Sequence, residues 1–235
     1  MADRMEERRL WPAGTDPGYV EARLELLAAE KELLEHAERV AAARRALPAG
    51  PVLPPYKFAE GPRDLAVDEP VAAPRLHDLF DGHDTLVTYH LMYAPEAQEA
   101  CPMCSMWVDG FHGVSHHLAR HAGFAVVAKA PLPKLREWGR RRGWDGLRLV
   151  SSHDSTFNAD LGTEGAGGAQ FPGISVFSRD GDEVRHRYTM QATVSSDLPE
   201  RGIDLLSPVW QVLDLMGQGR GEWYAGNDYP GAARG

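Results

Sequence analysis

The chain has two cysteines, three residues apart, in Cys101-Pro102-Met103-Cys104. Two thiols at that spacing, between a strand-like run and a helix-like run, can open and close a disulfide. The first lies at a helix N-terminus, where unpaired N–H groups and the macrodipole favour the thiolate. The second lies one turn inside on the same face, close enough to close the ring. Two other uses compete: half of a zinc site, or a pair of inert core thiols. Zinc takes four ligands and no second cysteine pair exists. A lone Cys-x-x-Cys beside a strand–helix–strand pattern reads as a redox dithiol.

Positioning the pair falls to the elements around it. Thr85 to Tyr93 is mostly apolar and reads as a central strand. Pro102 suits the first turn of a helix, because its missing N–H would be unpaired there in any case. Cys104, Trp107, Val108, Phe111, Val114, Leu118 and Ala122 follow three-to-four spacing, so the helix is predicted to run from the cysteines to about Ala122. Gly110 and Gly113 predict a kink or a close backbone approach within it. Phe124 to Ala128 and Leu147 to Val150 read as buried strands, with a helix from Pro131 to Arg142 closed by Gly143. Strand, helix, strand, helix, strand predicts right-handed crossovers in one sheet.

Downstream, Ser151 to Asp160 is polar, with Phe157 as an anchor, and the glycine-rich Thr163 to Gln170 is expected to be mobile. It lacks the spacing of a phosphate-binding loop. Asp180-Gly181 between apolar runs predicts a hairpin, followed by a helix from Ile203 to Met216. Upstream, Asp16 and Pro17 start a helix to about Leu47. Its stripe of Tyr19, Leu26, Leu33 and Val40 suits either an arm packed on its own domain or a homodimer-forming helix. Pro48 to Pro74 reads as a connector with a small hairpin, and Arg75 to Gly82 as a helical turn stopped by glycine. The expected organisation is a helical arm over residues 1–50, a domain over 51–217 and a tail over 218–235, the tail a partly docked strap bearing Trp223, Tyr224 and Tyr229.

The chain is 235 residues long, 43% hydrophobic and 25% charged, with a formal net charge of -9. The first two values are ordinary for a globular protein, and the acidic balance disfavours nucleic acid and anionic membranes as partners. The charged segment Met1 to Arg9 is followed by no apolar signal region, and no run of eighteen apolar residues occurs, so a cytoplasmic protein is expected. In a reducing cytosol a lone cysteine pair suits catalysis or sensing better than a structural staple.

Four of ten histidines crowd the cysteine helix: His112, His116, His117 and His121. Their i,i+4 pairs suit either a metal or a solvated polar face. His90 sits in the strand that enters the site, where it would tune the thiolate, complete a metal site with Cys101 and Cys104, or be a core histidine.

The element order, with the dithiol at the first crossover helix and a hairpin and helix to close, is that of the thioredoxin fold. Asp78-Leu79-Phe80-Asp81-Gly82, Tyr89-His90-Leu91-Met92, Cys101-Pro102-Met103-Cys104-Ser105-Met106-Trp107, Phe157-Asn158-Ala159-Asp160 and Ser175-Val176-Phe177-Ser178-Arg179-Asp180-Gly181 together resemble one bacterial thioredoxin-like family, the domain of unknown function number eight-nine-nine. The resemblance spans about Gly18 to Met216 and implies an α/β thioredoxin-like fold, a central mixed sheet flanked by helices with an N-terminal helical arm. It also implies that Pro172 is a candidate for the cis-proline that faces the disulfide in such folds; an ordinary strand-entry proline is the alternative. Two departures from working thioredoxins stand out: Ala100 replaces the usual tryptophan before the first cysteine, and no residue matches their buried acidic proton acceptor.

The expected activity is thiol–disulfide oxidoreduction with Cys101 as nucleophile on a disulfide or peroxide, protein or small molecule, Cys104 resolving the mixed species and no cofactor required. The alternatives are a copper or zinc protein using Cys101, Cys104 and His90, and a non-enzymatic interaction module.

Overall fold

A computed structural model describes residues 10–192 and 203–228; Tyr229 and the charged segment Met1 to Arg9 lie outside it. The chain divides into two units, residues 1–48 and 49–235. The first is a single long helix, α1 (Pro17–Ala46). It starts where the sequence places it: the Asp16 carboxylate accepts from the Gly18 and Tyr19 amides, satisfying two of the donors that a helix start leaves unpaired. No residue of α1 is buried, and Tyr19, Leu26, Leu33 and Leu34 are exposed. No helix among the described residues is long and apolar enough to cross a membrane.

The second unit is built on one six-stranded sheet. Its elements in order are β1 (Ala59–Glu60), a 3-10 turn (Leu76–Phe80), β2 (Thr85–Leu91), α2 (Pro102–Leu118), β3 (Gly123–Ala128), α3 (Leu132–Arg142), β4 (Leu149–Ser151), α4 (Phe157–Asp160), β5 (Gly173–Asp180), β6 (Glu183–Gln191), a second 3-10 turn (Asp204–Leu206) and α5 (Pro208–Asp214). The sheet order is β1-β4-β3-β2-β5-β6, with β2, β3 and β4 parallel and β1, β5 and β6 antiparallel to their neighbours. This is the thioredoxin-like α/β arrangement expected from the sequence. Both crossovers step the same way across the sheet, so their right-handedness puts α2 and α3 on one face.

Side-chain alternation along the strands sorts the core into two halves. Tyr89 and Leu91 of β2 join Cys104, Trp107 and Val108 of α2, Leu135 and Trp138 of α3, and Trp210 of α5. Leu86 of β2, Ala125 and Val127 of β3 and Phe177 of β5 face the other way, onto Tyr56, Phe58, Leu76, Phe80 and Phe157. Gly123 opens β3 where a side chain would strike the Leu79 carbonyl at 2.5 Å, so the 3-10 turn lies directly on the strand backbone. At the end of α3, Gly143 takes the left-handed conformation (φ 70°) that lets the helix stop.

Several expectations are corrected. The helix of the cysteines ends at Leu118, and neither glycine marks a close backbone approach: a side chain at Gly110 would make only ordinary contact with Pro208 Cδ at 3.7 Å, and one at Gly113 would meet nothing within 4 Å. The closing helix is broken at Ser207, because Pro208 cannot continue the turn before it and starts α5 afresh. The connector does form its expected small hairpin, Lys57 bridging to Arg75 and Glu60 to Ala72, and it also supplies an edge strand, with Ala59 and Glu60 paired to Ser151 and Val150 of β4. The loop from Thr163 to Gln170 is tied down at both ends, its Glu164 bridged to Gln170 and Thr163 buried.

Candidate functional site

Cys101 is the N-cap of α2 and is partly exposed, while Cys104, one turn in, is 1% exposed and belongs to the core. The sulfurs are not bonded to each other. Backbone contacts fix the ledge. The Cys101 amide donates to Met92 O at 3.0 Å, tying the helix start to the end of β2. The Ser105 amide and hydroxyl both donate to Cys101 O, at 2.9 and 3.1 Å, and Trp138 Nε1 donates to Ser105 Oγ at 3.1 Å. The hydroxyl of Ser105 therefore braces the first turn from below, and α3 braces Ser105.

The two thiols are not equivalent. Burial pushes the Cys104 thiol well above its ordinary range, and the neighbouring Cys101 sulfur pushes it further by hydrogen bonding and charge repulsion. Cys104 therefore holds its proton, donates it towards Cys101, and leaves any negative charge on the outer sulfur. Only two contacts favour a Cys104 thiolate, the Tyr89 hydroxyl and the Met92 amide. Tyr89 is fully buried, its ring against Phe111 at 5.5 Å. Its hydroxyl meets no partner in hydrogen-bonding geometry, yet it lies close enough to Cys104 that the two perturb each other's ionisation. Burial raises the phenol far above its usual range, so it stays a neutral donor beside the inner sulfur.

Both cysteines open on a cavity of about 410 Å³. Met92, Met103, Trp107, Phe171, Pro172 and Ile203 line it from the sheet and α2 side, and Trp210, Trp223 and Tyr224 from the C-terminal side. The tail is a docked strap. Trp223 meets Trp210 edge to face at 5.4 Å, and Ala225 is buried. Asn227 donates to Glu99 Oε2 at 2.9 Å and to Ala100 O at 3.2 Å, immediately before Cys101. Arg142 and Arg141, at the end of α3, hold that strap: Arg142 donates to Asn227 O at 2.8 Å and pairs with Asp109, and Arg141 pairs with Asp228 and Glu99.

Of the residues singled out by sequence, Cys101, Cys104 and Pro172 are brought together, and His90 is not. Residues 89 and 90 of β2 point to opposite faces, so His90 stands across the sheet from the sulfurs. It is buried and stacked on Phe157 at 5.6 Å, with Nε2 2.8 Å from Ser175 Oγ and Nδ1 3.2 Å from Thr163 Oγ1. Burial pushes its pKa down to about 3, so it is a neutral core histidine. The metal set Cys101, Cys104 and His90 is thus not assembled, and among the described residues no cluster of three His, Cys, Asp or Glu groups is placed to hold an ion. Pro172 faces the cysteines across the cavity with a trans peptide bond; the cis bond among the described residues is Glu69–Pro70. His116, His117 and His121 are exposed, and His112 lies with Nε2 3.0 Å from Asp145 O.

Tyr89 and the strap were missed as site residues. Tyr89 shares the strand parity of Leu91 and precedes the cysteines, which is the signal that could have found it; the strap residues carry none beyond their aromatic content.

Residues 10–231 match the family described as "Bacterial protein of unknown function (DUF899)". No curated protein matches the sequence. Among solved structures, the chain is similar to reduced Prx3 in complex with H2O2 from Vibrio vulnificus (16% identity, 68% of this chain and 99% of that one, TM-score 0.46). It is also similar to a putative thioredoxin reductase from Burkholderia cenocepacia (18% identity, 61% and 86%, TM-score 0.45) and to Enterococcus faecalis AhpC (10% identity, 61% and 80%, TM-score 0.46).

Proposed function

We propose that this chain, which belongs to the bacterial DUF899 family, is a thiol–disulfide oxidoreductase with Cys101 as nucleophile and Cys104 as resolving thiol. The observation that carries the reading is the asymmetry of the pair: an accessible sulfur at the N-cap of a seventeen-residue helix and a proton-holding sulfur buried one turn behind it. As thiolate, Cys101 attacks a substrate disulfide, forming a mixed disulfide and releasing one substrate thiolate. Cys104 then loses its proton to the departing thiolate and attacks the Cys101 sulfur, releasing the second half of the substrate as a thiolate. Two electrons pass from the protein dithiol to the substrate.

Resolution demands a thiolate in a buried place, and Tyr89 answers that demand. Working thioredoxins use a buried acid here as proton acceptor; this site offers a neutral donor, which stabilises the anion once it forms rather than taking the proton. The Met92 amide gives the same sulfur a second donor.

A peroxide is the second reading, favoured by the enclosure of Cys101 at the mouth of a small cavity. Attack on it would leave a sulfenic acid on Cys101, which Cys104 converts to the same disulfide with loss of water.

The reading is tested by alkylation of the reduced protein with iodoacetamide at neutral pH, followed by peptide mapping. Rapid reaction at Cys101 alone is expected. Reaction of both thiols no faster than free cysteine would refute the activated nucleophile.

A further inference from the structure

We infer that the electrophile seated against Cys101 is a low-molecular-weight disulfide with a neutral, apolar body, held between Trp107 and the aromatic strap of Trp210 and Trp223. This rests on the dithiol reading above and adds the class of substrate. The cavity's 410 Å³ is the size of a site for a small molecule, and apolar and aromatic side chains make up most of its wall.

Its charges are already neutralised. Arg220 lines the cavity, but its Nη1 donates to Asp204 Oδ2 at 2.5 Å and its Nε and Nη2 donate to the two oxygens of Asp214 at 2.6 and 2.5 Å. Its guanidinium also lies 4.8 Å from the Trp210 ring. A substrate carboxylate entering here would have to displace Asp204, itself 3% exposed, or Asp214. Among the described residues the wall therefore offers apolar contact and no cation beyond the paired Arg220, which disfavours charged disulfides such as that of glutathione.

The other approach to Cys101 has a different character. It is an open groove between Ala94–Glu99 and Gly167–Gln170 that carries Glu96 and Glu99 and has no aromatic side chain to clasp a substrate. The aromatic residues that could clasp an apolar body lie on the strap side.

In the step proposed, Cys101 thiolate attacks one sulfur of R–S–S–R, giving Cys101–S–S–R and R–S⁻. Cys104 gives its proton to the first R–S⁻ and attacks the Cys101 sulfur, giving the protein disulfide and a second R–S⁻, which takes its proton from solvent.

The test is single-turnover oxidation of the reduced full-length chain by dibenzyl disulfide, glutathione disulfide and insulin, each rate divided by that of N-acetylcysteine with the same oxidant. The normalised rate with dibenzyl disulfide is expected to exceed the other two by about tenfold or more. Trp223→Ala, at a residue 49% exposed and outside the core, is expected to lower it by about tenfold, the share of one aromatic contact, while Trp223→Phe restores most of it. Equal normalised rates, a preference for insulin, or a Trp223→Ala rate ratio unchanged from the parent would overturn the substrate assignment while leaving the dithiol reading intact. No oxidation of the pair by any of the three would overturn the dithiol reading itself.

Discussion

Replacing Tyr89 by phenylalanine should move stability and chemistry in opposite directions. The hydroxyl is fully buried and has no partner in hydrogen-bonding geometry, so it carries its desolvation cost uncompensated. Phenylalanine keeps the ring and its contact with Phe111 and removes that cost, worth about 1–3 kcal/mol, so Tyr89→Phe should be more stable by about 1 kcal/mol. The same change deprives the Cys104 thiolate of a donor. A hydrogen bond to a charged group contributes about 1.5–3 kcal/mol, so attack of Cys104 on the mixed disulfide should slow by about ten- to a hundredfold. Because Cys104 already titrates well above its ordinary range, losing Tyr89 should move the alkaline rise of the resolving step to still higher pH. The assay is acid-quenched mass spectrometry of the Cys101 mixed disulfide across pH, paired with urea unfolding of the reduced protein. A variant that is less stable, or one that resolves at the parent rate with the parent pH profile, would refute the role given to the hydroxyl.

Cys104→Ser should arrest the reaction at the mixed disulfide, seen as a stable adduct on Cys101 by intact mass, whereas Cys101→Ser should form no adduct. His90 should make the fold acid-sensitive. Its folded pKa of about 3 lies below the unfolded value of about 6.5, so the unfolded chain takes up the proton first and stability present above pH 6.5 is lost as pH falls towards 3. Between pH 7.5 and 5.0 this residue alone should remove about 2 kcal/mol by urea unfolding, and His90→Gln should flatten that slope; an unchanged slope would contradict its buried neutral state.

The elements that carry the dithiol were legible because their signals are local. Cys101-Pro102-Met103-Cys104 sits at a helix start that proline favours, the runs Phe124–Ala128 and Leu147–Val150 can only be buried, and Asp180-Gly181 marks its hairpin. What escaped depends on which side of the sheet a residue faces and on contacts far along the chain. His90 and Tyr89 are neighbours in sequence, and strand parity sends one to the sulfurs and the other to Ser175 and Thr163. The link of Asn227 to Glu99 and Ala100 spans more than half of the chain, so no window of sequence contains it. The edge strand Ala59–Glu60 is two residues long, too short for periodicity to register. Its place is fixed in part by Glu60, which takes a double hydrogen bond from the buried Arg148.

The central claim is that Cys101 and Cys104 exchange two electrons as a unit. Equilibration of the full chain against graded thiol–disulfide buffers, read by intact mass and non-reducing peptide mapping, tests it most directly. The account predicts a loss of about 2 Da in one two-electron step, a single Cys101–Cys104 linkage, and a midpoint in the range of about -270 to -120 mV spanned by thioredoxin-like dithiols. A chain that keeps both thiols under oxidising buffer, or that forms only adducts or intermolecular bonds at Cys101, would contradict it.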